Sequence, residues 1–507
     1  MSILEEKVTE NNPFDKSQVY AEKFDDATLK KDLEALKNLI LEVEGTLNDN
    51  DIFYQAHVYY SLATATDTIS VLEKDSNQEN ALKKQLYYYR KALKLIQTDE
   101  FNEPALMQYT RALQACIVTN YGNTLRRCGR RIAAIQQYIS AQGYYPFFAM
   151  GMGNLGVCYM EYAFLLRDNQ AYERDCLNYH AYNLLNDAIK SNDPNIHEEA
   201  KMYFISAISH FHVDYREYLS KPIELKKTPV MTKKEFIYRK WCLDNRLYLS
   251  PLNDLLAKEM SYAEDITNID NLVASLDEGL PIAFGMFNQL KQEYISARFL
   301  YYESLQQSSN QHFSDNRTHL TETLDYAQFS LRIEKLKMSF KTLYGILDKI
   351  AYFMNAYYDL GIKEKDVSFR NIWNPKKYGE NKKALDIESN FALASLYWIY
   401  QDFDDSYGQD SNPELKRLRE IRNYLEHKYT IVTWDFAINN NEKKAPALYI
   451  DESELSEKTM ELFHVVREAI ICLSLSVNLE EIERQQKLGD KTILKMPVGK
   501  YEDDWKI

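Results

Sequence analysis

The chain has few of the residues that interrupt helices. Its 507 residues include 15 glycines and 12 prolines, and runs of β-branched residues are scarce. Inside a helix, glycine costs about 1 kcal/mol and proline about 3 kcal/mol relative to alanine, so a chain poor in both can be helical over most of its length. The composition therefore predicts an all-α protein. We interpret the 39 tyrosines and 22 phenylalanines as core residues on helix faces rather than as a cofactor site.

Paired cysteines and long apolar runs are also lacking. The 6 cysteines form no C-x-x-C pair and show no regular spacing, which argues against a zinc site and against a disulfide framework. Such cysteine usage favours the reducing cytoplasm. No stretch approaches the ~18 consecutive apolar residues that a membrane span needs. We therefore expect a soluble, cytoplasmic protein with no metal, no cofactor and no membrane contact.

The formal net charge is −14, which disfavours non-specific binding to nucleic acid. Any RNA contact has to use a local basic patch. Basic residues cluster at 126–131, 221–240, 376–383 and 416–428. Most clusters of this kind are solvated faces, but the last one shares a predicted helix with candidate catalytic residues. The candidate RNA-binding residues are accordingly Lys416, Arg417, Arg419 and Lys428.

A helical repeat runs through the first half of the chain. Gly122 and Gly156 are 34 residues apart, which is the period of tetratricopeptide repeats. Ala134, Tyr138 and Pro146 keep the internal spacing of that repeat. Small residues let the two helices of a pair approach closely, the aromatic ring fills the gap, and proline ends the second helix. An ordinary helical bundle with one coincidental spacing is the alternative.

The sequence is predicted to divide into four parts. They are an N-terminal helical cap (1–55), tetratricopeptide-like repeats (56–280), a second helical domain (281–480) and an irregular tail (481–507). The boundary near residue 280 follows an acidic turn at 264–270. Within the second domain, the predicted helices include 324–360, 391–400, 414–429 and 452–479.

The candidate chemistry lies in the predicted helix 414–429. Apolar residues recur there at intervals of three and four, which predicts one buried stripe. The stripe consists of Leu415, Leu418, Ile421, Leu425 and Tyr429. Arg419, Asn423 and His427 follow one another at intervals of four and share another face. Arg422 lies about 140° around the helix from His427, and Asn423 bridges the arc between them.

These side chains can cut the backbone of RNA without a metal ion. A neutral His427 can take the proton of a ribose 2′-OH or protonate the leaving 5′-oxygen. Arg422 is charged at any working pH and can stabilise negative charge on the phosphorane. The alternative is an ion pair between Arg422 and Glu426, with His427 as an ordinary surface residue.

The region as a whole resembles the HEPN superfamily, the higher eukaryote and prokaryote nucleotide-binding bundles. Arg422-Asn423-x-x-x-His427 matches the ribonuclease signature of that superfamily. The surrounding sequence resembles the HEPN branch found in large bacterial proteins that also carry tetratricopeptide repeats. The segments behind this likeness are 293–298, 331–337, 347–353, 367–369 with Trp373, 396–398 and 422–427. A second short match, Arg174 with His180, lies outside the resemblance and is set aside.

The resemblance implies a four-to-five-helix bundle that dimerises, so that two Arg/His motifs face one cleft and cut RNA without metal. Only Arg422, Asn423 and His427 match the signature and are expected to be catalytic. Many members act as toxins or in antiviral defence, and some have lost catalysis. We expect a homodimeric endoribonuclease whose repeats sense a trigger or dock a protein partner. The alternative is a scaffold that binds RNA, nucleotide or protein without cutting.

Overall fold

The computed structural model describes most of the chain and confirms the all-α class. The described residues are 13–45, 47, 51–73, 78–97, 104–194, 196–273, 281–306, 312–322, 324–380, 382–403, 413–434, 447–488 and 498–506. Within these ranges the chain forms sixteen α-helices, several short 3-10 turns and two short strands.

The first ten helices pack mainly against helices close to them in the chain. They are α1 (Pro13–Lys30), α2 (Leu33–Glu44), α3 (Ile52–Leu72), α4 (Gln78–Ile96), α5 (Pro104–Arg127), α6 (Arg131–Tyr144), α7 (Ala149–Leu165), α8 (Ala171–Lys190), α9 (Glu198–Ser209) and α10 (Val213–Leu219). The closest pairs are α3 with α4, α5 with α6 and α7 with α8, and each pair also packs against the next. This is the packing order expected of a helical repeat array. Its assignment as tetratricopeptide repeats and the domain limits stay predictions.

Two glycines singled out by the repeat spacing lie where helices approach closely. A Cβ atom on Gly122 would lie 2.6 Å from Tyr138 Cε1. A Cβ atom on Gly156 would lie 2.9 Å from Leu185 Cγ and 3.1 Å from the Ala181 carbonyl oxygen. Both positions therefore need glycine for packing reasons.

The remaining helices build the second half of the fold. They are α11 (Lys233–Asp244), α12 (Ile282–Leu305), α13 (Leu331–Tyr357), α14 (Phe391–Phe403), α15 (Pro413–His427) and α16 (Glu452–Leu488). Helix α13 packs on α12, both α13 and α14 pack on α16, and α15 lies across α13 and α14. Five helices therefore form the C-terminal bundle, in agreement with the expected four to five.

Helix α13 begins later than the periodicity predicted. The predicted helix starts at residue 324, whereas α13 starts at Leu331. Ser330 caps its N-terminus, because the Ser330 side chain accepts a hydrogen bond from the Ile333 amide at 3.3 Å. Leu324 and Tyr326 adopt positive φ angles of 55° and 56°, which a helix does not tolerate.

Two strands follow α15, in a region where the sequence pattern predicted no strand. Strand β1 (Tyr429–Thr433) pairs in parallel with β2 (Ala447–Asp451). Tyr429 was predicted to belong to the buried stripe of a helix, but it is 71% exposed and begins β1. The β-branched residues that follow it favour an extended backbone. The predicted loop at 439–446 lies outside the described residues.

Helix α16 forms the centre of the core. It extends to Leu488, beyond the predicted end at 479, and its middle is buried on all sides. By length and composition it is the only helix in the described ranges that could cross a membrane, but 83% of its most apolar window is buried inside the protein. That burial is what the core helix of a folded domain shows.

Buried ion pairs join the bundle to the turn that follows α11 and to the start of α6. Arg467 of α16 bonds both carboxylate oxygens of Asp254, at 2.7 and 3.0 Å. Arg130, at the start of α6, bonds Asp402 of α14 and Glu468 of α16. Arg130 is 6% exposed. The basic cluster at 126–131 thus contributes to packing between the two halves, which a charge count cannot reveal.

Candidate active site

Helix α15 carries the candidate residues along one side of the bundle. It begins at Pro413, where proline fits the first turn of a helix. Leu418 and Ile421 are fully buried and Leu425 is half-buried, so most of the predicted apolar stripe faces the core. The side chain of Leu415 lies outside the described set. Burial of this stripe fixes the rotation of the helix, and so the direction of the polar residues.

Arg422 lies against α13. Its Nη2 atom is 3.7 Å from Asp348 Oδ2, and its guanidinium carbon is 5.3 Å from the centre of the Tyr344 ring. Its Nη1 atom donates a hydrogen bond to Asn423 Oδ1 at 3.3 Å. The Arg422 side chain is 30% exposed. The cation is therefore held in place at the surface, with part of its charge still open to solvent.

His427 is the last residue of α15 and points to solvent. No hydrogen bond or ion pair engages its ring among the residues that the structure describes. The next residue, Lys428, donates its backbone N–H to the Tyr424 carbonyl at 3.0 Å, which closes the helix. Strand β1 then begins at Tyr429. The imidazole thus lies exposed at the C-terminal end of α15, with no hydrogen-bond or ion-pair partner among the described residues.

The ion pair that the alternative reading predicted, between Arg422 and Glu426, is not formed. Glu426 Oε2 instead lies 3.7 Å from Lys341 Nζ of α13. One face of α13 contacts the face of α15 that carries Arg422 and Glu426. The contacting residues of α13 are Lys341, Tyr344 and Asp348. Arg422 and Glu426 therefore make their ionic contacts with α13 rather than with each other.

Tyr344 contributes its ring and not an ionised hydroxyl. Burial raises the pKa of Tyr344 to about 12, with Arg422 opposing the shift and Asp348 adding to it. At neutral pH the hydroxyl stays protonated. The ring is a flat, apolar and electron-rich surface beneath the Arg422 guanidinium, which suits a cation–π contact.

The four candidate RNA-binding residues differ in their surroundings. Lys416 and Lys428 are exposed. Arg417 bonds Glu454 of α16 and Glu420 of its own helix, each at 2.6 Å. Arg419 donates a hydrogen bond to the carbonyl of Phe403 at 3.3 Å. Lys416 and Lys428 thus lie at the surface, where Lys428 Nζ is 4.5 Å from the centre of the Tyr424 ring, and Arg417 and Arg419 make contacts within the protein.

The sequence pattern did not indicate Tyr344 or Asp348 as site residues. Lys341, Tyr344 and Asp348 are three and four positions apart in the sequence. This spacing indicates a shared helix face, but it does not identify the helix that packs against that face. Within the described ranges, no three His, Cys, Asp or Glu side chains are grouped so that they could hold a metal ion.

Comparison with known families bears on the same part of the chain. Residues 275–480 match the family described as LA2681-like HEPN. The C-terminal region is a HEPN domain. All three residues of the Arg-Asn-x-x-x-His motif lie inside the matched range. No curated protein and no solved structure gives a significant match to the chain. The branch of HEPN proteins with tetratricopeptide repeats stays a prediction.

Proposed function

We propose that the protein is a metal-independent endoribonuclease and that its HEPN domain carries the active site. His427 acts as the acid–base group, Arg422 as the cation that binds the reacting phosphate, and Asn423 as a polar side chain between them. HEPN domains are generally associated with ribonucleases. The observation that carries the proposal is the exposed, unengaged ring of His427 on the same short helix as the held Arg422 cation.

The proposed reaction is an internal transfer within RNA. The ribose 2′-oxygen attacks the adjacent phosphorus, so that an O2′–P bond forms and the P–O5′ bond breaks. A neutral imidazole of His427 takes the 2′-OH proton, and a protonated imidazole supplies a proton to the leaving 5′-oxygen. Arg422 stabilises the charge that develops on the phosphorane oxygens. The products are a 2′,3′-cyclic phosphate and a 5′-OH.

A second copy of the chain fits this chemistry. Arg422 and His427 of one helix lie about 140° apart, so one phosphate reaches both with difficulty. Two α15 helices beside a twofold axis bring the arginine of one copy near the histidine of the other, in an isologous contact. We therefore propose a homodimer with a shared cleft. We further propose that the protein acts in the cytoplasm as a toxin or defence effector, and that the N-terminal helices receive the trigger.

Cleavage of RNA by the purified protein tests this function. The wild type should cut a fluorescent single-stranded RNA, and His427→Ala should not. His212→Ala is the matched control, because His212 is an exposed histidine on the N-terminal helices with 78% side-chain exposure. An enzyme that cuts equally well with and without His427 has its active site elsewhere.

One observation favours a non-catalytic scaffold as second candidate. Arg422 contacts Asp348 and Tyr344, as an arginine with a purely structural role does. A scaffold would bind RNA, nucleotide or protein and leave RNA intact. Binding of RNA by wild type and His427→Ala alike, with no cleavage by either, would favour this candidate.

A further inference from the structure

A buried carboxylate links the N-terminal helices to the end of α14. Asp402 is 6% exposed and lies one residue before the end of that helix. Its carboxylate accepts hydrogen bonds from Arg90 of α4, at 2.9 Å, and from Arg130 at the start of α6. A buried carboxylate that loses one of two cationic partners is left with uncompensated charge, so the three side chains hold one another firmly.

The next residue, Phe403, contacts the candidate active site twice. Its carbonyl accepts the hydrogen bond from Arg419 of α15 at 3.3 Å. Phe403 is the last described residue of α14, and the carbonyl groups in the last turn of a helix are favourable partners for a cation. The Phe403 ring also meets the Tyr344 ring edge to face, with centroids 6.0 Å apart.

Tyr344 lies between Phe403 and Arg422. One neighbour of its ring is Phe403, and the other is the Arg422 guanidinium, 5.3 Å from the ring centre. The chain of contacts is therefore continuous from Arg130 to the catalytic cation. Any movement of α14 relative to the N-terminal helices shifts both the support of α15 and the ring beneath Arg422.

Given the proposed ribonuclease function, on which this step rests, we propose that Tyr344 is a positioning residue for Arg422. Through Asp402, the N-terminal helices control the position of the Tyr344 ring. A partner or trigger that displaces α4 or α6 then changes the cleavage rate by moving α14. Packed interfaces of this kind shift between discrete arrangements rather than deforming smoothly.

The first experiment compares two buried carboxylates that bind the same arginine. Asp402 and Glu468 have side chains 5% and 3% exposed and both bond Arg130, but only Asp402 adjoins Phe403. Asp402→Asn should lower kcat about fivefold or more, the lower end of typical coupling between two sites, with KM unchanged. Glu468→Gln should leave kcat near the wild-type value. Equal effects of the two variants would overturn the proposal.

The second experiment separates the ring of Tyr344 from its hydroxyl. Both contacts of Tyr344 in this chain of residues use the ring. Tyr344→Phe should therefore keep kcat, whereas Tyr344→Leu should lower it without raising KM. Activity lost equally in both variants would overturn the positioning role, because a ring-based mechanism requires that phenylalanine suffices.

Hydrogen exchange tests the linkage without any cleavage. Amides of α15 (Pro413–His427) should exchange faster in full-length Asp402→Asn than in Glu468→Gln, because the Phe403 support is loosened only in the first. If the wild type cuts no RNA, the proposed function fails, and the exchange of α15 still decides the linkage. Identical exchange in the two variants would overturn it.

Discussion

Arg422 Nη2 lies 3.7 Å from Asp348 Oδ2, a distance too long for a hydrogen bond. Both side chains are about one-third exposed, at 30% and 37%, and surface pairs of this kind contribute only about 0–1 kcal/mol. A phosphate can therefore take the place of Asp348 at little cost, since it accepts two parallel hydrogen bonds from a guanidinium. The contact therefore positions Arg422 and leaves its guanidinium able to bind a phosphate.

The first prediction concerns cells that express the protein. Expression or triggered activation should slow growth or translation, and Arg422→Ala or His427→Ala should abolish that effect. Both residues lie at the surface of α15, where substitutions usually change the unfolding free energy by within about 0.5 kcal/mol. Growth curves and circular dichroism of the purified variants check the two parts. Full toxicity of both variants would mean that the site is misassigned; His212→Ala should stay toxic.

The second prediction concerns the packing of the N-terminal helices. A Cβ atom on Gly156 would lie 2.9 Å from Leu185 Cγ, whereas one on Gly143 would meet nothing within 4 Å. Gly156→Ala should therefore lower the unfolding free energy by about 1–3 kcal/mol through overpacking. Gly143→Ala should leave it unchanged or raise it by up to about 1 kcal/mol, because alanine favours helix. Urea denaturation measures both, and equal values would contradict the close approach at Gly156.

Local signals in the sequence predicted most of the helices and the buried face of α15. Gly122 and Gly156 mark close contacts between helices that are neighbours in the chain. Such contacts can be predicted because a short stretch of sequence contains both helices. Leu418 and Ile421 predicted the rotation of α15 because helical periodicity alone decides which face is buried. The signature motif then placed Arg422 and His427 on known faces of that helix.

Contacts between distant segments could not be predicted in this way. Tyr429 continues the apolar pattern of α15, but its backbone pairs with Ala447, so a strand forms in place of another helical turn. Arg130 belongs to a basic cluster in sequence, yet its partners lie on α14 and α16. Asp348 contacts Arg422 only because α13 and α15 cross at that point. Each of these depends on packing that no local pattern encodes.

The third prediction is a loss of stability in mild acid. Burial lowers the pKa of His464 to about 4, with Arg467 and Arg246 adding to the shift, and burial lowers the pKa of His57 to about 4. In an unfolded chain the pKa of histidine is about 6.5. Below that pH the unfolded state binds protons that the folded state does not. The unfolding free energy should therefore fall, by about 2 kcal/mol per histidine at pH 5, and show no such contribution above pH 7.

Urea denaturation at pH 7 and pH 5 checks this pH dependence. His464→Gln should remove the part of the loss that His464 contributes, about 2 kcal/mol at pH 5, because that ring no longer titrates. The contributions of His57 and His180, whose pKa values burial also lowers, should remain. The exposed His212 is the control, since His212→Gln should leave the loss unchanged. A wild-type protein equally stable at both pH values would contradict the burial of these two rings.

The fourth prediction tests the mechanism of cleavage. If His427 and Arg422 act on the ribose 2′-OH without metal, cleavage should persist in EDTA and leave a 2′,3′-cyclic phosphate and a 5′-OH. An RNA with one 2′-deoxyribose at the cut position should resist, because its attacking oxygen is missing. Mass spectrometry of the fragments identifies both ends. The mechanism fails if EDTA abolishes cleavage or if the 2′-deoxy substrate is cut normally.

The last prediction concerns the shared cleft. In a homodimer with two α15 helices at the twofold axis, the one shared cleft holds both copies of Arg422 and both copies of His427. If Arg422 and His427 act across the dimer, mixing Arg422→Ala with His427→Ala protomers should restore activity, because one of the two composite sites in each mixed dimer is then intact. If both residues act within one chain, no mixed dimer carries an intact pair. Full specific activity in a dilute, demonstrably monomeric enzyme would rule out the shared cleft and leave the single-chain site.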